Sequence, residues 1–413
     1  NIQDVNLLVR LEEKLQYIPL LRTLSYVGLT TLEGAMGTIQ VINGALTIRA
    51  RKRNEIISTF IRNADTGKNP GAYVAEPKRG FKKNIVSFDA NSLYPNVMIS
   101  LNTSPETKVG KIERTTDKNV TIQHVTGKLF ELTKPDFVKF LKNEQCSISK
   151  AGFLFSQKKK GIIPEFLEYY YNKRVDIKKK LFKTKQKLKK DPSNLDLKYE
   201  VERLNTSQMV IKILINSCYG YMGNKNAPIG DDDIASSVTL TGQAVIKYSN
   251  ELIKEFIKKE VPDISDRELE ECIVYNDTDS SYVSITPLVD KGLNFFNGSD
   301  IHIDTHNKIQ EIEDYLNEGV HDWAKKSLLS SDSRFVFKRE CIADVGVFLQ
   351  KKRYVMHILD DEGIKENKFK YTGVEVVRTT MPNAIKPYAK KIIETMLSTQ
   401  SLSKTNEVLN ETV

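Results

Sequence analysis

Apolar residues recur at helical spacing through residues 5–35, where Leu7, Leu8, Leu11, Leu15 and Ile18 share one face, and this spacing predicts helices. The polar stretch NADTGKNPG at 63–71 reads as a linker. NIVSF at 84–88 is a short continuous apolar run that predicts a buried strand leading into Asp89. The helical pattern returns from Ile163 to about Lys190 and again from about Leu197 to Asn224. DPSN at 191–194 breaks the two, so a helical hairpin is expected. Around 272–285 and 335–358, Val, Ile, Phe and Tyr recur and predict strands. No internal repeat is visible, and the polar tail STQSLSKTNEVLNETV does not look like a finished domain. The expected fold class is α+β, a sheet-based body interrupted by one long helical hairpin.

Composition changes this picture little. The 413 residues suffice for about three domains, and 40% hydrophobic with 28% charged residues reads as soluble and globular. No apolar run approaches the ~18 residues a membrane span needs, so no membrane partner is expected. The opening NIQDVNLLVRLEEK has neither signal- nor transit-peptide character, which makes a cytoplasmic location the default, the host cytoplasm if the source is viral. Cys146, Cys218, Cys272 and Cys341 are scattered, with no CxxC pair, and read as reduced core thiols. His302 and His306 in IHIDTH are four apart but lack the helical context and the Glu of a zinc-binding HExxH motif, so no zinc site is expected.

Charge adds more. The net charge is +9, and the excess clusters at 157–161, 173–190 and 350–354. Such blocks suit a polyanion, with a solvated helix face as the plain alternative. Charge alone does not separate DNA from RNA or from an acidic protein.

The chemistry concentrates in VYNDTDSSYV at 274–283, where Asp277 and Asp279 flank a single residue in a turn between two apolar runs. One Asp shapes a turn; a second repels it and invites a cation. Asp89 ends another strand, and on a neighbouring strand it could share divalent ions with the turn. Mg²⁺ takes one or two carboxylates plus substrate phosphates, and paired ions serve phosphoryl transfer. For any single Asp at a strand end, a turn or capping role is the ordinary reading. In MVIKILINSCYGYMGN, Lys212, Asn216 and Tyr219 fall on one helical face, and on the partner helix Arg174 and Lys178 are four apart. Facing basic pairs suit a triphosphate. A Lys-rich exposed hairpin with Tyr219 merely packed is the plain alternative.

These residues also carry a resemblance. DANSLYPN at 89–96, KILINSCYG at 212–220 and YNDTDS at 275–280 resemble, in order, the three polymerase motifs of family B DNA polymerases. KKRY at 351–354 resembles the family's duplex-binding motif, and PGAYVAEP, SPET and GIIPEFLEYYYNKR resemble its T-even-like phage branch. The resemblance spans about residues 1–380 and implies a palm with an antiparallel sheet, interrupted by a two-helix fingers hairpin. It implies a DNA-directed DNA polymerase with two Mg²⁺ ions, for which Mn²⁺ may substitute.

By that resemblance Asp89 and Asp279 are the metal-binding carboxylates, Asp277 is a supporting charge, and the Ala90 carbonyl completes a metal shell. Tyr94 is a steric gate that selects dNTP over rNTP, while the amides of Ser92 and Leu93 help hold the triphosphate. Arg174, Lys178, Lys212 and Asn216 grip the phosphates, and Tyr219 packs at the nascent pair. Glu340 resembles a palm acid near the metals. Lys351, Lys352, Arg353 and Tyr354 hold primer–template DNA.

The implied division is 1–62 as the remnant of a 3′–5′ exonuclease domain, with Asp4 matching a metal-binding Asp of its third motif and a helix N-cap as the plain alternative for it. Then follow palm at 63–160, fingers at 161–225, palm at 226–372 and the start of an incomplete thumb at 373–413. The other exonuclease motifs have no counterpart, so this chain alone is not expected to proofread, and weak processivity is expected. Further implied partners are a sliding clamp, other replisome proteins and a second chain supplying exonuclease or thumb parts. The competing readings are a non-catalytic DNA-binding relative and a metal-dependent nuclease.

Overall fold

The computed structural model describes residues 2–57, 70–297 and 300–412. Most of the expected linker at 63–71 therefore lies outside the described residues. The chain gathers into two compact units: Asn1–Pro70, Tyr94–Thr241 and Lys325–Arg334 form the first, and Gly71–Leu93, Gly242–Ala324 and Phe335–Val413 the second.

The first unit contains the expected hairpin, made of helices α1 (Ile162–Lys190) and α2 (Leu195–Met222). The DPSN break works through side chains. Asn194 caps α2 by accepting from the Leu197 N–H at 3.0 Å, and Asp191 accepts from Ser193 and Asn194. The hairpin is apolar at its base, where Ile163, Phe166, Leu167, Ile211, Leu214 and Ile215 are buried; farther out burial thins to Leu181 and Leu204. Glu165 ties the base to Arg53 at 3.0 Å. Helices Ile2–Leu15 and Tyr17–Gly28 fulfil the helical expectation for 5–35, although the first buries none of its described residues.

This unit also holds a five-stranded antiparallel sheet from Lys108 to Ser156, not anticipated strand by strand, around Val120, Ile122, Leu141 and Leu154.

The second unit is built on six antiparallel strands: β1 (Gly80–Ala90), β2 (Ile273–Asp277), β3 (Ser280–Ser284), β4 (Phe337–Gln350), β5 (Arg353–Asp361) and β6 (Ile364–Thr372). Their order across the sheet is β6-β5-β4-β1-β3-β2. The expected strand at 84–88 is the inner part of β1, buried between β4 and β3. β6 is an additional strand beyond those the pattern predicted. So are two long helices, Asp232–Glu260 and Ile303–Ser327. Their signal is the burial of Leu252, Ile253, Phe256 and Ile257, and of Ile309, Ile312 and Leu316, at three- and four-residue spacing. His302 and His306 straddle the start of the second helix, so this stretch does have a helical context; His302 Nδ1 accepts from the Asp304 N–H at 3.1 Å. The polar tail is helical over Leu402–Thr412, and Leu397 of the preceding helix is buried with Val345, Val347 and Val355. All four cysteines are buried and unpaired, and burial pushes each thiol up to about 12. None of the described helices is long and apolar enough to cross a membrane.

Candidate active site

Antiparallel pairing brings the acids of the second unit together. Asp89 on β1 pairs with Ser280 on β3, and Asp277 on β2 pairs with the same Ser280. Asp279 therefore sits in the tight turn beside the end of β1, where its carbonyl accepts the Ala90 N–H at 2.8 Å. The Asp279 N–H bonds back to the Asp277 carbonyl at 2.7 Å, which closes a three-residue turn around Thr278. Thr278 has φ 63°, a left-handed conformation that costs a β-branched residue energy. Its N–H is held by the Tyr73 carbonyl at 3.0 Å, and Val74 bridges to Asp277. The PGAYVAEP segment thus runs along β2 and covers its outer edge.

Beneath the turn, residues of alternate parity point to the opposite face of the sheet. There Asn276, Ser281 and Asn250 form a buried network, with Asn250 Nδ2 donating to Asn276 Oδ1 at 2.9 Å and Asn276 Nδ2 to Ser281 Oγ at 2.8 Å. A fully bonded polar core of this kind fixes one arrangement.

Asp89, Asp277, Asp279 and Glu340 line one open pocket of about 350 Å³, with Ser280, Tyr282 and Lys352. Burial, then the charges of Asp279 and Glu340, push Asp89 up to about 7. Asp279 is also raised, chiefly by burial. Glu340 reaches the pocket through a β-bulge: Ser87 pairs with Cys341 and Phe88 with Arg339, which leaves Glu340 as the extra residue. Ser87 Oγ donates to one of its oxygens at 2.9 Å and Lys370 Nζ to the other at 3.1 Å.

Two carboxylates and nearby carbonyls make an all-oxygen donor set, and a divalent cation would offset the burial and the neighbouring charges that raise Asp89. These residues fit a hard divalent ion. Among the described residues no group of three or more His, Cys, Asp or Glu is gathered to hold a metal. Glu340 is held by Ser87 and Lys370, which leaves Asp89 and Asp279 as the acids of this pocket that could face an ion.

The 351–354 tetrad lies at the turn from β4 to β5 and is joined to the acid turn. Lys352 Nζ meets Asp277 Oδ1 at 2.6 Å, and the Lys352 N–H donates to the Tyr275 hydroxyl at 2.8 Å. Lys351 pairs with Glu76 at 3.2 Å and Arg353 with Glu375 at 2.9 Å. Tyr354 is buried, its hydroxyl 2.8 Å from that of Tyr282, and its ring stacks on Phe348. Gly373 closes over this turn with φ 61°; a Cβ there would lie 2.0 Å from the Lys352 carbonyl oxygen.

Ser92 follows β1 with φ 50°, and Leu93 begins the helix Leu93–Leu101. In the first unit, the rings of Tyr94 and Tyr219 lie 4.7 Å apart. Lys178, Lys212 and Asn216 are exposed on the hairpin. Arg174 is half-buried, its Nε has no hydrogen-bond partner, and burial lowers its pKa. An unsatisfied guanidinium nitrogen suits an anion. Asp4 is exposed in the first turn of helix Ile2–Leu15.

Three polymerase motifs thus lie on a sheet turn, a strand end and a packed hairpin. A model of DNA polymerase family B matches residues 33–294, more than half of the chain. The chain belongs to DNA polymerase family B. It is 26% identical over 439 residues to the DNA-directed DNA polymerase of Escherichia phage RB69, and 26% identical over 461 residues to that of Enterobacteria phage T4. Each alignment covers 96% of this chain and 48% of the relative. A DNA polymerase of Pyrococcus glycovorans is 27% identical over 341 residues, 83% of this chain and 34% of that one. The two phage likenesses agree with the T-even-like branch of family B. The chain spans about half the length of the phage relatives it matches.

Several contributors escaped the sequence reading. Ser87, Lys370, Tyr282 and Asn250 were not singled out, because each acts on a partner far away in the sequence. Tyr275 and Asn276 lie inside YNDTDS and were legible as its flanks, though not as an anchor for Lys352 and a buried pin for the turn.

Proposed function

We propose that this chain is the catalytic core of a DNA-directed DNA polymerase that transfers nucleotides from dNTPs to a primer 3′-hydroxyl in phage DNA replication. The observation that carries this reading is the convergence of Asp89 and Asp279 on one open pocket, with Asp89 pushed up to about 7 by burial and neighbouring charge. Asp89, Asp279 and the Ala90 carbonyl would hold divalent ions, Mg²⁺ by preference and Mn²⁺ in its place. Bound there, such ions supply Lewis-acid activation of the attacking hydroxyl and neutralise charge on the leaving pyrophosphate.

The chain's own residues do the rest. Asp277, paired with Lys352, supports the acid turn and couples it to the tetrad that would hold primer–template DNA. Glu340, tied by Ser87 and Lys370, sets the negative potential around Asp89 without competing for an ion. Arg174, Lys178, Lys212 and Asn216 would take phosphate oxygens of the incoming dNTP, with the Ser92 and Leu93 amides. Tyr94, braced by the Tyr219 ring, would stand where a 2′-hydroxyl clashes. No side-chain nucleophile is needed, since positioning and electrostatics carry phosphoryl transfer. In family terms the second unit's sheet is the palm, the hairpin the fingers, residues 1–62 exonuclease-derived around Asp4, and 373–413 the start of the thumb. A sliding clamp and replisome proteins are the natural partners.

The test is labelled primer–template incubated with Mg²⁺ and either dNTPs or rNTPs. Extension with dNTPs alone is expected. Binding without extension would mark a non-catalytic relative, and strand shortening a nuclease.

A further inference from the structure

The segment from 173 to 190 carries nine lysines and one arginine against a single acid, Asp176, so its net charge equals the +9 of the whole chain. The remaining residues are electrically balanced. Arg174 and Lys178 serve the proposed phosphate grip; the lysines beyond them have no assigned work. Lys183, Lys185, Lys187, Lys189 and Lys190 are exposed and form no ion pair among the described residues, whereas each basic residue of the 351–354 tetrad has an acidic partner.

The pattern differs from a merely solvated helix face in one respect. Lys178, Phe182, Lys185 and Lys189 follow one another at i, i+4, i+7 and i+11, a single stripe along α1. Phe182 is 63% exposed in the middle of that stripe. On the second helix Tyr199 is 69% exposed. A solvated face gains nothing from open aromatic rings, and the hairpin's own packing here uses Leu181 and Leu204 instead. Lysines that track a backbone, interleaved with aromatic faces on which bases stack, are the physical make-up of a single-strand binding surface. A duplex hides its base faces and would use only the charge.

We propose that the distal half of the hairpin binds single-stranded DNA, its lysines meeting phosphates and Phe182 and Tyr199 stacking on unpaired bases. That the strand is template ahead of the primer end rests on the polymerase reading; the surface itself does not.

The experiment uses the full chain and fluorescein-labelled dT30, with a 30-base-pair duplex for comparison, followed by anisotropy across a salt series. The triple variant Lys185→Gln, Lys189→Gln, Lys190→Gln keeps good helix formers at exposed positions, and circular dichroism checks that helix content is unchanged. Its salt dependence is expected to flatten by about 2 in the slope of log K against log salt, since each single-strand phosphate contact contributes about 0.7. Phe182→Ser is expected to weaken dT30 binding about fivefold with the slope unchanged, as loss of one stacked base would. Unaltered affinity and slope in the triple variant would overturn the proposal. So would equal loss on duplex and dT30, or a preference for phosphatidylserine–phosphatidylcholine vesicles over dT30. Primer extension across a one-nucleotide overhang separates the two readings. If the wild type fails to extend but the dT30 results hold, the polymerase reading falls and the surface stands; if it extends and the triple variant binds dT30 normally, only the surface falls.

Discussion

The acid turn and the helical hairpin are held by different kinds of force. The turn at 277–280 is fixed by contacts remote in sequence: Tyr73 from one side, Ala90 from a second strand, Asn250 from a helix, and Lys352 from a third part of the chain. The hairpin is fixed by local periodicity and a four-residue break, with burial concentrated at its base. A site that must hold repelling carboxylates needs external restraint. The hairpin, by contrast, stays largely exposed beyond its base and leaves Arg174 Nε without a hydrogen-bond partner, as the proposed phosphate grip would require.

The contrast breaks most visibly at the acids. Asp279→Asn should lower the single-turnover incorporation rate about a thousandfold, equivalent to about 4 kcal/mol of transition-state stabilisation. If rapid-quench kinetics show a loss no greater than that from a hairpin lysine, the two regions do not divide the work as described. Gly373→Ala drives a Cβ into the Lys352 carbonyl and should cost about 3 kcal/mol in chemical denaturation, while also weakening primer–template binding. Lys212→Ala would remove the proposed charge-assisted phosphate contact, worth about 2 kcal/mol, so kcat/KM for dNTP should fall about thirtyfold, mostly through KM.

Stability against pH sharpens the comparison further. In the folded chain Asp89 holds its proton to about pH 7, whereas unfolded it releases it near 3.8. Between those values the unfolded state binds fewer protons, so metal-free stability falls as pH rises from about 4 to 7. Asp89→Asn removes that loss. At pH 8 without divalent ions the variant should be more stable by about 1.5 kcal/mol, allowing for solvent screening, with no difference at pH 3.5. Mg²⁺ should raise the melting temperature of the wild type and not of the variant. The smallest effect is expected at the tip: Thr278→Gly relieves the left-handed strain and should stabilise by about 1 kcal/mol, while incorporation slows as the turn loosens.

What the sequence determined by itself was everything that short spacing encodes. The hairpin's limits came within about two residues of Ile162–Lys190 and Leu195–Met222, because apolar periodicity, an Asp-Pro break and an Asn cap are all local. The acids of the pocket, Asp89, Asp277 and Asp279, were legible because polar groups at the end of apolar runs stand out. The long helices Asp232–Glu260 and Ile303–Ser327 carry the same periodic signal, although the pattern above predicts only the strands they flank. Tertiary structure alone decided the rest. A bulge opposite Ser87 turned Glu340 into the pocket and set Lys370 beside it, and a sheet order of β4-β1-β3-β2 brought residues nearly two hundred apart within reach of each other. Strand order and bulge position are not properties of any segment. They follow from how all the strands bury their faces at once, and that sum is taken only in the folded chain.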